Sequence, residues 1–136
     1  MGKSQLGGDW SKQTAPSLDD LETLGRAALE ALPAEVLALT GEVQIRVAEF
    51  PERDVLDELE IESEFDLLGL FQGIGLAHGP AVPETGRLPN MVWLYRRPIL
   101  DYWAENEDGL GAIVTHVLVH ELGHHFGLSD EDMEAL

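Results

Sequence analysis

The sequence predicts an α+β fold in which a small mixed β-sheet packs on one long helix. Three observations predict it. Val43-Gln44-Ile45-Arg46-Val47 alternates apolar and polar residues, the period of a strand with one buried face. Leu67 to Gly73 and Met91 to Tyr95 are two further short apolar runs, read as the second and third strands of the same sheet. Gly109 to Phe126 is apolar at Leu110, Ile113, Val114, Val117, Leu118 and Leu122 and carries two histidines four residues apart. A helix apolar on most sides is expected to lie buried against the sheet.

The remaining elements follow in order. Residues 1 to 16 are polar, with Trp10 as their one large aromatic side chain, and read as a disordered N-terminal tail; residues 17 to 136 read as a single domain. Ser17 is placed to cap a helix whose first turn holds Asp19 and Asp20. Leu18, Leu21, Leu24, Ala28, Leu29 and Leu32 then recur at helical spacing as far as Pro33. Ala34 to Leu39 forms a second short helix, closed by Gly41. Pro51 occupies an N1-like position before one or two helical turns from Glu52 to Leu59. Ile74 to Asn90 is a Gly- and Pro-rich loop. A short helix runs from Arg97 or Pro98 to Glu105, and Asn106-Glu107-Asp108 caps the long helix.

The long helix contains His120-Glu121-x-x-His124. Residues four apart share a helix face, so both imidazoles can ligate one metal. Glu121 lies about 100° round the helix, outside that arc but placed to hold water beside the ion as a general base. The pattern continues through Gly127 to Asp130. On an unbroken helix Asp130 would point about 240° away from His124. Gly127 can take the left-handed conformation that ends a helix. Leu128 could then pack back on Leu122, and Asp130 could swing round as third ligand, leaving a fourth position for water.

Other histidines fit less well. His116 shares the His120 face but lies roughly 12 Å along the axis from His124, so it reads as a packed or supporting residue. His125 reads as structural and His78 as a loop residue. Tyr95, Arg96, Arg97 and Tyr102 are candidate oxyanion donors, although arginines in so acidic a chain are usually ion-paired.

His120, Glu121, His124, Gly127 and Asp130 resemble the zincin metallopeptidases, with metzincin-like ligand spacing. Together with Phe65 to Gly73 and Tyr95 to Leu100, they resemble the small bacterial minimal-zincin family over about residues 17 to 136. The resemblance implies a compact zincin-like fold, a Zn2+ cofactor and peptidase activity. The chain departs from true metzincins in one respect. Their Met-turn lies well after the third ligand, whereas Met133 stands only three residues beyond Asp130.

Composition narrows the function classes. Twenty-six acids against eight bases give a net charge of -18, which opposes nucleic-acid binding. The absence of cysteine excludes disulfides and thiolate zinc ligands, and it suits a cytoplasmic protein. No apolar run approaches membrane-spanning length, and the first 16 residues lack the apolar core of a signal peptide. The leading expectation is a zinc metallopeptidase acting on a peptide or protein substrate, held extended against the sheet edge at Leu67 to Gly73. A latent or non-catalytic zinc module is the alternative. A metal-dependent nuclease is weaker, because Glu121 supplies a peptidase-like base and the charge opposes RNA.

Overall fold

A computed structural model describes residues 10–73 and 90–127. Helix α1 spans Leu18–Glu30 and α2 spans Ala34–Thr40; strand β1 follows at Val43–Ala48, then helix α3 at Arg53–Glu58. Strand β2 is Gly69–Gln72, β3 is Asn90–Tyr95, helix α4 is Arg96–Glu105 and the long helix α5 is Leu110–Phe126. Short 3-10 turns occur at Trp10–Lys12 and Glu64–Asp66.

The α+β expectation holds. Among the described residues the sheet is ordered β1-β3-β2, with β1 parallel and β2 antiparallel to β3, so β2 is an edge strand of these three. One face carries Ile45, Phe71, Val92 and Leu94, which join Leu21 of α1 and Ile113, Val114, Val117, Leu118, Leu122 and Phe126 of α5 in a single core. Val92, Leu94, Val114 and Leu118 have no exposed surface. Burial of each such side chain stabilises the fold by about 1.5–3 kcal/mol.

Local chemistry sets the first helix as the sequence implies. Ser17 Oγ accepts from the Asp20 N–H at 3.1 Å and Asp20 Oδ2 accepts from the Ser17 N–H at 2.8 Å, a reciprocal cap. Close approach of α1 to the sheet depends on Gly25, where a Cβ would stand 2.8 Å from Leu94 Cδ1 and 2.9 Å from Ile45 Cγ2. Just before α1, the Pro16 carbonyl accepts from Arg96 Nε at 2.6 Å, which ties the chain ahead of the first helix to the start of α4.

Two expected caps differ. The long helix starts at Leu110 with Gly109 as its N-cap and without a capping side chain. Asn106 instead closes α4: its N–H bonds the Trp103 carbonyl, and its Nδ2 donates to the Tyr102 carbonyl at 2.7 Å. Pro51 is not at N1, because Glu52 is the N-cap and Arg53 the first residue of α3. The Ile74 to Pro89 loop, His78 and the expected Leu128–Leu122 contact lie outside the described residues. Among the described residues no helix is long and apolar enough to cross a membrane.

Candidate metal centre

The long helix is less enclosed than its composition suggests. Its buried stripe is Ile113, Val114, Val117, Leu118, Leu122, Gly123 and Phe126. The opposite side, Ala112, His116, His120 and His124, is exposed. Residues at four-residue steps share one side of a helix, so the histidine row and the apolar stripe separate cleanly. The expectation of a helix buried around its histidines is therefore corrected. The imidazoles face outward, which suits a site that substrate must reach.

His120 and His124 are neighbours on that side, with ring centroids 4.7 Å apart and planes at 85°. His116 continues the row, its ring stacked 5.9 Å from that of His120. It is exposed rather than packed. His125 points elsewhere and stacks on Phe71 with centroids 4.3 Å apart. Gly127 ends the helix at φ 69 and ψ 28, the left-handed conformation its position predicts. Asp130 lies outside the described residues. Among the described residues no three His, Asp or Glu side chains converge as a complete metal site.

Glu121 behaves differently from the two histidines. It is half-buried, and its Oε1 accepts a hydrogen bond from the backbone N–H of Phe71 at 3.0 Å. Burial raises its pKa above the usual carboxylate value, opposed by the Phe71 hydrogen bond and by His120 and His124. The side chain thus links the helix to strand β2. That link requires α5 and β2 to approach closely, and Gly69 permits it. A Cβ there would stand 2.5 Å from Val117 Cγ1 and 2.9 Å from the Trp93 carbonyl oxygen, and the Glu121 side chain passes just beyond.

The register explains why the Phe71 N–H is available. Tyr95 N–H donates to the Leu68 carbonyl at 3.0 Å, and Gly69 and Phe71 stand opposite Leu94 and Val92. In an antiparallel ladder residues alternate between hydrogen-bonded and non-hydrogen-bonded pairs. Leu68, Leu70 and Gln72 therefore bond inward to β3, while Gly69 and Phe71 turn their backbone groups to the outer edge. No local pattern in the sequence marks this contact, because its partners are 50 residues apart.

The four candidate oxyanion donors separate by environment. Arg96 donates from Nη1 to Glu49 at 2.9 Å as well as to the Pro16 carbonyl. Arg97 lies over the Phe50 ring, 5.6 Å from its centroid. Tyr102 is exposed. Tyr95 is buried, and its pKa is pushed up to about 12 by burial, then by Glu52 and Glu121.

The donor set present, two neighbouring imidazoles on an accessible helix side with a carboxylate beside them, fits a zinc ion. A family model described as Zincin-like metallopeptidase matches residues 40–136, more than two-thirds of the chain. The match starts at the end of α2, so α1 lies outside it although α1 packs on both β1 and α5. A search of curated proteins finds no match.

Proposed function

The chain belongs to the zincin-like metallopeptidase family, and from that premise we propose that it is a zinc-dependent peptidase with Glu121 as general base. His120 and His124 hold the ion from the exposed side of α5, and Asp130 joins them on the strength of its spacing after Gly127. Zinc bound there supplies Lewis acidity, which polarises a carbonyl and acidifies water. Glu121 takes a proton from the attacking water and delivers it to the amine as the peptide C–N bond breaks.

The observation that carries this reading is the position of Glu121: it lies beside the histidine row and its carboxylate reaches the outer edge of β2. An extended substrate added to that edge meets the base and the ligands together. A purely structural zinc site has no use for such an acid. The experiment is a peptide-library digest by the zinc-loaded protein and by Glu121→Gln at equal metal content. The substitution keeps shape and removes the base, so cleavage falls by ~10²-fold or more while zinc stays bound. Equal cleavage by both proteins removes Glu121 from the mechanism. Cleavage by neither favours the latent zinc module.

A further inference from the structure

The outer edge of β2 is claimed twice. A peptide strand lying along it would seek the outward N–H and carbonyl groups of Gly69 and Phe71, which the ladder register leaves unpaired with β3. The Phe71 N–H is already engaged, because Glu121 Oε1 accepts from it at 3.0 Å. A single N–H serves one acceptor well, so a peptide carbonyl and the Glu121 carboxylate compete for it.

We propose that the Phe71 N–H is a positioning group that holds Glu121 at the strand edge until an extended peptide pairs with β2. Pairing of the peptide and release of the carboxylate are then one event. The proposal rests on the peptidase reading above and adds to it a dependence on substrate length. A peptide long enough to pair with β2 takes the amide and frees the base to face the histidine row. A dipeptide fragment too short to reach that amide leaves the base held.

The amide cannot drift to accommodate both partners. The Phe71 ring is fixed between His125, stacked at 4.3 Å, and Phe126, edge-on at 5.4 Å. Its side chain is buried in the core that also holds Val92 and Leu122. Two residues back along β2, Gly69 stands against Val117, where even a methyl group has no room. Strand and helix therefore keep their separation, and the movable member is the Glu121 side chain. The hold has substance, because hydrogen bonds to ionised groups are the stronger class.

The test removes the Phe71 N–H, and the weaker ester carbonyl that it leaves at Leu70 is common to both probes. Replacing Phe71 in the full chain by its α-hydroxy-acid analogue turns the Leu70–Phe71 amide into an ester and keeps the ring. The probes are a blocked dipeptide amide and an octapeptide that share a scissile bond chosen from the library digest. With the natural amide, kcat for the octapeptide should exceed that for the dipeptide by about tenfold or more, the scale of one charged hydrogen bond. In the ester chain that kcat ratio should collapse towards one while the octapeptide KM rises. A ratio that is the same in both chains overturns the proposal, since a merely structural bond would not act on kcat by substrate length.

Two further readouts do not depend on cleavage. Hydrogen exchange at the Phe71 amide should quicken by about tenfold or more in Glu121→Ala; unchanged exchange overturns the hold. An octapeptide library added to the nitrogen-labelled, zinc-loaded protein should shift the Phe71 amide resonance, and a β2 edge that does not respond overturns the competition. A chain that shows both effects yet cleaves nothing would retain the exchange of partners at Phe71 and lose the peptidase reading.

Discussion

Replacing Gly69 by alanine tests how tightly the candidate site depends on the contact between β2 and α5. The added Cβ would lie 2.5 Å from Val117 Cγ1 and 2.9 Å from the Trp93 carbonyl oxygen. Neither neighbour yields easily. Val117 is buried, and a β-branched side chain in a helix has one strongly preferred rotamer. The Trp93 oxygen belongs to the backbone of the central strand. The strand must therefore move outward. Overpacking of this kind costs about 1–3 kcal/mol, and the lower chain entropy of alanine in the unfolded state offsets about 0.4–1 kcal/mol. A net loss of about 1–2 kcal/mol lowers the melting temperature by roughly 4–8 °C in a domain of this size. The same shift lengthens the Phe71–Glu121 hydrogen bond, so exchange at the Phe71 amide should quicken.

Gly111→Ala is the matched control. Its Cβ would meet nothing closer than Leu24 Cδ2 at 4.0 Å. Helix propensity should stabilise that variant by about 0.5–1 kcal/mol. Thermal unfolding with amide exchange reads both proteins. A Gly69→Ala melting temperature within about 1 °C of the parent, with Phe71 exchange unaltered, would refute the steric reasoning.

Three other expectations follow. His120→Ala, His124→Ala and Asp130→Ala should each reduce the bound zinc from about one per chain, read by metal analysis, and full stoichiometry in any of them removes that residue from the ligand set. Chelation should lower the melting temperature, because an ion bound only to the folded state at a thousandfold excess over its Kd contributes about 4 kcal/mol; an unchanged value after confirmed metal loss counts against a shared ion. Tyr95 is one of two tyrosines, and its ionisation should appear at about pH 12 in a phenolate absorbance titration. Its folded pKa is raised above the unfolded 10.0. Between those values the native state holds the extra proton, so stability is complete below pH 10 and is lost as pH rises towards 12. Ionisation of Tyr95 near pH 10 in the folded protein would contradict its burial.

The sequence by itself determined what short-range chemistry can determine. Ser17 with Asp20 marks the start of α1, the alternation from Val43 to Val47 marks β1, and Gly127 ends α5 in the left-handed conformation. The His120–His124 pair needs only the pitch of a helix to become neighbours. Each of these depends on residues within a few positions of one another. Competition between neighbours defeated local reading at the N-cap of α5, where Asn106 is engaged at the end of α4 and Gly109 is left to begin the helix.

Tertiary structure alone decided which side of α5 meets solvent. Composition shows a helix rich in apolar residues, but only the packing of α1 and the sheet on one side leaves His116, His120 and His124 outside. Strand order was likewise undetermined, since three short strands can pair in several ways and only the assembled sheet places β2 at an edge. The joining of Glu121 to the Phe71 N–H depends on all of these at once: the edge position, the ladder register, and the space that Gly69 leaves for α5. A hydrogen bond spanning 50 residues is set by how elements pack and not by the sequence around either partner, which is why Glu121 could be singled out from its motif and its partner on β2 could not.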